Sequence, residues 1–317
     1  MNSIPDVIVL GNHGCGGNRV RVHHMPVPGE TITAWDNQFL KDGGKGSHQA
    51  IVISRLGGSS AFIGKIGSDE QSEISKQWLI DDGVNIKHLL RSSQKIPQAG
   101  LIMVDDNGVN SIVMVEGIQN TLTFEEVKPC IEDFKSAKIF ITNFEIPVKT
   151  ALLGAKLAKE LGMMTILNPA PAPEEPIEVL DYIDIIIPNE PEAKSIAGFD
   201  LHADFDPFEA SAKIREIYKV GEVIITMGGA GVFGFDGEDS WKIAPIPVEV
   251  VNTTGAGDAF IGGFAWSLLN GKDMQEAMEW GNYVAALSVT REGTITSFPV
   301  LSEVENFIKK HKQRIKR

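Results

Sequence analysis

Short, continuously apolar runs recur along the chain: VIVLG at 7–11, KIFIT at 138–142, MTILNPA at 164–170, IDIIIPN at 183–189 and EVIITMG at 222–228. Between them, PVKTALLGAKLAKELG (147–162) and PFEASAKIREIYKVG (207–221) carry apolar residues at helical spacing. Strands apolar on both faces, alternating with amphipathic helices, predict an α/β fold with a mostly parallel sheet flanked by helices. After residue 255 the pattern turns helical, with segments expected at 255–270, 273–291 and 301–315.

Two stretches break the alternation. NRVRVHH and ETITAWDNQFL flank a PVPGE turn within residues 18–40, and QAGLIMVDDNGVNSIVMV (98–115) is two strands around DDNG. Both predict antiparallel ribbon. A small β sheet inserted at two points is most economically a lid over the open end of the main sheet, where ligands bind in such folds. The expected organisation is therefore a main α/β domain of residues 1–17, 41–97 and 116–317, with the lid at 18–40 and 98–115.

Composition narrows the function classes. Forty-two acidic residues against 29 Lys and Arg give a formal charge of −13, which argues against nucleic acid as a partner. The basic run KKHKQRIKR at 309–317 is expected to be the solvated end of the last helix. Cys15 and Cys130 lie far apart and form no metal or redox pattern. No apolar stretch approaches the roughly 18 residues of a membrane span, and MNSIPDVIVLG has no basic leader, so a cytoplasmic protein with no membrane partner is expected.

The candidate chemistry lies in glycine-rich segments. In VNTTGAGDAFIGGFAWSLLNG (251–271) a helix is expected to begin near Thr254, although Gly255 and Gly257 each cost about 1 kcal/mol of helix propensity relative to alanine. A bare helix start presents free N–H groups and partial positive charge to an anion. Asp258 on that turn either caps the helix or takes a proton from whatever reacts with the anion. GNHGCGG (11–17) fails the dinucleotide fingerprint, and GGKGSHQA (43–50) fails the Walker A spacing, though it offers a second bare helix start. ITMGGAGVF (225–233) lets backbone approach a ribose or phosphate, or is simply a tight strand turn. Asn189, Glu190 and Glu192, at the end of IIIPNEPEA, either suit a hydrated magnesium or cap a helix.

Together these residues carry a resemblance. VNTTGAGDAFIGGF resembles the C-terminal signature of the ribokinase-like (PfkB) carbohydrate kinases, and PVPGE, GGKG, LNPAPA and PNEPE stand in the order expected of the ribokinase branch, from Val7 to Pro299. The resemblance implies an ATP-dependent kinase, with a β lid that pairs with a second copy in a homodimer. It implies Asp258 as the base, and Gly255, Ala256 and Gly257 as an anion hole for the phosphoryl group in transfer. Gly43, Gly44, Lys45, His48, His13 and Glu145 would face the sugar. Asn189 and Glu192 would organise Mg2+ and phosphate, while Thr226, Gly228 and Gly231 fall on the ATP side and Asn282 near the adenine. Asn252, Thr254, Ser288, Arg291, Gly293 and Ser297 match positions that supply oxygens to K+.

The chain departs from the family twice. Asn252 stands where an aspartate is usual, which is expected to weaken any K+ dependence. After the first strand, GNHGCGGN has one extra residue and lacks the acid that holds sugar hydroxyls, and His48 replaces an asparagine. A gathering of His13, His24 and His48 near the substrate is one consequence to look for; poor use of ribose is another. The leading reading is a kinase that phosphorylates a hydroxymethyl group of a small sugar or sugar derivative. A nucleoside kinase on the same scaffold and a non-catalytic sugar-binding regulator are the alternatives.

Overall fold

The apolar run Val7–Leu10 forms β1, buried at all four positions, and the rest of the architecture is laid around it. In the computed structural model the chain continues through β2 (Gly17–Arg21), β3 (Asp36–Leu40), α1 (Lys45–Arg55), β4 (Ser60–Ile66), α2 (Glu70–Asp81) and β5 (Leu89–Arg91). Next come β6 (Gly100–Val104), β7 (Asn110–Met114), α3 (Phe124–Asp133), β8 (Ile139–Asn143), α4 (Val148–Glu160), β9 (Met164–Asn168), β10 (Ile185–Ile186) and α5 (Glu190–Ala197). The last part is α6 (Pro207–Tyr218), β11 (Glu222–Thr226), β12 (Val232–Phe235), β13 (Ser240–Ile243), α7 (Ala256–Leu269), α8 (Met274–Ser288) and α9 (Leu301–Ile315). The structure describes residues 4–93, 100–115, 117–175, 177–202 and 204–315. Positions 98 and 99 of the expected second ribbon, 94–97 and 116 beside it, and 1–3, 176, 203 and 316–317 of the main domain lie outside these residues.

The main sheet has nine strands in the order β13-β12-β11-β10-β9-β8-β1-β4-β5. Every pairing from β5 to β11 is parallel, and the β11–β12 and β12–β13 pairings are antiparallel, so β12 alone among these strands is reversed. Alternation along β1 divides the core: Val7 and Val9 pack with Ile51, Phe260 and Phe264 of α1 and α7, whereas Ile8 and Leu10 pack with Val127 and Ala151 of α3 and α4. Full burial of side chains such as Phe260 and Phe264 contributes about 1.5–3 kcal/mol each relative to exposure.

The second sheet has the order β3-β2-β6-β7. Each hairpin is antiparallel, as the sequence pattern predicts, and the two join through a parallel β2–β6 pair. Residue rows therefore cross both insertions: Phe39, Asn18, Leu101 and Val113 lie in register on one face, while Leu40, Gly17 and Gly100 lie on the other. No helix among the described residues is long and apolar enough to cross a membrane.

Candidate active site

The start of α7 is shaped by its glycines. Gly255 has φ +80°, and a Cβ there would lie 2.7 Å from Thr294 Cγ2, so the turn demands glycine. A Cβ on Gly257 would meet nothing within 4 Å, so this part of the first turn faces open space. Asp258 is the acid of that turn and is only 4% exposed. Its Oδ1 accepts from Gln49 Nε2 at 3.0 Å, and its Oδ2 lies 3.0 Å from His48 Nδ1. Both partners come from α1, whose first turns pack beside the start of α7.

The other nitrogen of His48, Nε2, lies 2.9 Å from Asp42 Oδ1. Burial penalises a charge on this ring, but the hydrogen bonds to Asp258 and Asp42 outweigh it and push its pKa up to about 10. The Gly43 amide nitrogen also lies 3.1 Å from Nε2. The Gly43 N–H is directed at Nε2, which also faces Asp42 at ion-pair distance; the imidazolium is the form that serves both carboxylates, in line with the raised pKa. Asp42 is held below the ordinary carboxylate range: burial opposes this, but the His48 ring, the Gly44 N–H at 3.2 Å and the Thr294 hydroxyl at 3.4 Å stabilise its charge.

These groups open onto a cavity of about 220 Å³ between the main domain and the small sheet. The main domain contributes Asn12, Asp42, Gly44, Lys45, His48, Glu145 and Asp258 to its wall; the small sheet contributes Gly17, Leu40, Gly100 and Ile102. A smaller cavity of about 40 Å³ is lined by Asn168, Asn189, Glu192, Thr226 and Gly257. Lys45 lines both, and the first turn of α7 gives Asp258 to one and Gly257 to the other. The strands β1, β8, β9, β10 and β11 all deliver wall residues at or just past their C-terminal ends, the usual ligand edge of such a sheet.

Charge is concentrated at this junction. The Asp258 carboxylate does most to raise the Lys45 pKa; burial works against it, and Glu145, Glu192 and Asp42 add to it. Burial pushes Glu145 up, against the pull of Lys45, and Glu145 Oε2 accepts the Lys45 backbone N–H at 2.7 Å. Burial likewise raises Glu192, whose Oε2 accepts the Asn189 N–H at 2.8 Å while Asn189 Oδ1 accepts the Glu192 N–H at 2.8 Å. Asn189 and Glu192 thus do cap a helix, α5, and also line the smaller cavity.

Several of the residues expected at the site lie apart from these two cavities. His13 does not line the larger cavity: it is buried behind the wall, edge-on to Phe62 and Trp78. Burial lowers its pKa to about 4; a Ser75 backbone group nearby favours the charged ring, yet neither ring nitrogen makes a hydrogen bond of normal geometry. His24 is far from any gathering of histidines, on the outside, 2.9 Å from Glu30. Gly228, Gly231 and Asn282 line neither cavity; the glycines form the turn between β11 and β12, and Asn282 Nδ2 donates to Ala244 O at 2.9 Å. Asn12, Asp42 and Gln49 went unnoticed in the sequence. Asp42 had a signal, as the acid directly before the glycine pair.

The six expected K+ residues belong to loops that dock on one another, since Val289 O accepts from Val251 N at 2.8 Å and Asn252 N at 3.2 Å. Four of their side chains are engaged internally, and Thr254 lines the larger cavity. Asn252 Oδ1 accepts the Thr254 N–H, the Ser288 hydroxyl donates to Ala285 O and the Ser297 hydroxyl to Thr294 O, each at 2.8 Å. Arg291 turns to Glu303 at 2.8 Å, and Gly293 adopts φ +85°.

Comparison with known proteins places this geometry. The profile described as pfkB family carbohydrate kinase matches residues 24–301. The chain is 35% identical over 289 residues to a ribokinase of Haemophilus influenzae, covering 91% of this chain and 94% of that one. It is also 35% identical over 303 residues to a bifunctional ribokinase/ribose-5-phosphate isomerase A of Fructilactobacillus sanfranciscensis, covering 95% of this chain but spanning only 56% of that protein. Among solved structures, Arabidopsis thaliana ribokinase complexed with ribose and ATP superposes with a TM-score of 0.87 at 28% identity, covering 97% of this chain and 99% of that one.

Proposed function

The chain belongs to the pfkB family of carbohydrate kinases and is an ATP-dependent sugar kinase, and we propose that it moves the γ-phosphoryl group of ATP to a hydroxymethyl oxygen of a small sugar, with Asp258 as general base. One observation carries this reading: the first turn of α7 separates two cavities and gives a carboxylate to the larger and a bare glycine turn to the smaller. A sugar hydroxyl held in the larger cavity reaches Asp258, while the phosphoryl group reaches the N–H groups around Gly257. The hydroxyl oxygen attacks phosphorus, the proton passes to Asp258, and the bond to the ADP leaving oxygen breaks in line. Catalysis of this kind is mostly positioning and charge stabilisation, which Lys45, common to both cavities, is placed to supply.

Asn189 and Glu192 fit a hydrated Mg2+ on the phosphate side: both offer hard oxygens at a strand end, and Glu192 is short of water. The metal would neutralise phosphate charge as the bond to the leaving group breaks. A K+ ion at the docked loops would meet a neutral Asn252 oxygen already bonded to Thr254, so replacing K+ by Na+ is expected to change turnover less than threefold in a direct assay.

We take the acceptor to be a small sugar, which the cavity of about 220 Å³ can hold. The names of the relatives make ribose the first acceptor to try. Poor ribose use was expected from the missing acid after β1 and from His48 in place of an asparagine; the Asp42 carboxylate in the cavity wall offers an acid from another place in the chain, so the acceptor panel decides. The outer face of the small sheet exposes Leu101 and Val113 side by side, with Phe39 beyond Asn18 in the same row, a mainly apolar surface suited to a second copy of the chain.

The test is Asp258→Asn assayed with ATP, magnesium and a panel of pentoses, hexoses and nucleosides. Turnover is expected to fall by about 10² to 10⁴ with ATP binding retained, the usual contribution of a positioned base. A change below threefold removes Asp258 from the role. Phosphorylation of nucleosides alone would move the substrate class.

A further inference from the structure

The His48 ring joins two carboxylates that face the same cavity. Asp258 comes from α7 and Asp42 from the loop between β3 and α1, and each takes one ring nitrogen at 3.0 Å or less. His48 is 3% exposed and both of its ring nitrogens face these partners, so the ring presents little to a bound sugar. The remaining neighbours leave this arrangement intact. Phe298 meets the ring edge-on at 5.5 Å, and His13 behind it is neutral at ordinary pH. Lys45, in the same helix, and Glu145, bonded to the Lys45 backbone N–H, line the same cavity, and Glu145 interacts with His48 through charge alone.

Asp42 differs from Asp258 in its exposure, since 39% of its side chain remains accessible where Asp258 has 5%. Its Oδ1 is engaged by His48 and the Gly44 N–H, whereas Oδ2 has, among the described residues, the long 3.4 Å contact from Thr294. A carboxylate oxygen has two lone-pair sites, so Oδ2 retains acceptor capacity beside the cavity. Groups that fill it must be donors, which sugar hydroxyls are.

We infer that Asp42 binds hydroxyl groups of the acceptor sugar, and that His48, bonded to Asp42 and Asp258 together, is the positioning residue through which the bound acceptor fixes the orientation of the base. This rests on the reading of Asp258 as general base. An acceptor hydroxyl on Oδ2 fixes the Asp42 side chain, the imidazolium follows Oδ1, and Nδ1–H holds Asp258 Oδ2. Gln49 anchors the other oxygen, Oδ1, leaving the second lone pair of each oxygen for the attacking hydroxyl.

The experiment combines kinetics with a spectroscopic readout. Asp42→Asn is expected to raise the acceptor KM by about tenfold or more, as loss of a charged hydrogen bond does, with the ATP KM changed less than twofold. Calorimetry of acceptor binding without ATP should weaken in parallel. In long-range ¹H–¹⁵N spectra, the wild-type His48 ring should carry protons on both nitrogens at pH 8, and its titration should move to lower pH in Asp42→Asn. His48→Asn should lower kcat by about tenfold or more while the ATP KM changes less than twofold. The double variant should cost little more in kcat than His48→Asn alone.

Unchanged acceptor KM and unchanged His48 titration in Asp42→Asn overturn the inference, as does a His48 ring that is neutral at pH 8 in the wild type. The spectra need no activity, so they stand if His48→Asn fails to fold. Loss of turnover in Asp258→Asn alongside those negative results would sink this inference alone, whereas normal turnover in Asp258→Asn would sink the assignment of the base.

Discussion

His48 and Asp258 meet at 3.0 Å across the packing of α1 on α7, with the ring 3% and the carboxylate 4% exposed. A buried cation of this kind ties stability to pH. The unfolded imidazole has the ordinary value of 6.5; burial would lower it, but the two carboxylates outweigh burial and lift the folded value to about 10. The folded state therefore binds the proton more tightly. Its contribution is fully present below about pH 6.5 and is lost as pH rises toward 10. Thermal unfolding between pH 6 and pH 10 should show the wild-type Tm falling, with a shallower slope in His48→Asn. Equal slopes would mean that the ring is neutral in the folded protein.

Gly257→Val tests the phosphate side independently. A Cβ at this position meets nothing within 4 Å, so the substitution should not disturb packing, yet it places a branched side chain over the open N–H groups of the α7 turn. Loss of one such donor costs about 10² to 10³ in rate elsewhere. The expected outcome is a similar fall in kcat with Tm nearly unchanged. Full activity would show that the phosphoryl group does not use this turn.

The legible parts of the fold were those whose chemistry repeats locally. The apolar runs became β1, β8, β9, β10 and β11, and the two ribbons became one small sheet. β4 escaped notice because SAFIGKI includes Lys65, which reaches past the buried strand to Glu126 at 2.7 Å. α2 escaped because its buried face is Ser72, Ser75, Trp78 and Leu79, half of it polar. At the site, Asp258, Lys45, Glu145, Asn189 and Glu192 were recognisable from motifs. Asp42 became significant only when folding brought it across the ring of His48, a relation between residues 42, 48 and 258 that no local spacing encodes.

The small sheet should serve both as cavity wall and as contact surface. Ile102 and Leu40 face the larger cavity, while Leu101 and Val113, on the opposite face, are 41% and 55% exposed. Replacing Leu101 and Val113 by Asp together should convert a dimer to a monomer in sedimentation velocity and leave the fold intact. Ile102→Ala should instead raise the acceptor KM more than the ATP KM, because the lid side completes the acceptor pocket. A wild-type monomer would dismiss the contact surface, and an unchanged acceptor KM in Ile102→Ala would dismiss the lid as a wall.

The last expectation concerns the charge of the acceptor. His48 looked, from sequence, like a cation that could welcome an acidic sugar, but in the fold its charge is consumed by Asp42 and Asp258. Lys45 is the remaining cation of the larger cavity, and it serves the smaller cavity as well. Against it stand Asp42, Glu145 and Asp258 in the same wall. A carboxylate or phosphate on the acceptor would therefore enter a partly desolvated space of its own sign, where an unpaired charge is costly. Neutral sugars should exceed the matching sugar acids in kcat/KM by at least about a hundredfold, the effect of roughly 2.7 kcal/mol of like-charge repulsion and lost hydration. Raising the salt concentration should narrow the gap only slightly, because charges within a closed cavity are poorly screened. A panel of pentoses, hexoses and their oxidised counterparts measures this directly. A sugar acid as the best substrate would mean that Lys45 is free to pair with the acceptor, and the division of charge between the two cavities would have to be drawn differently.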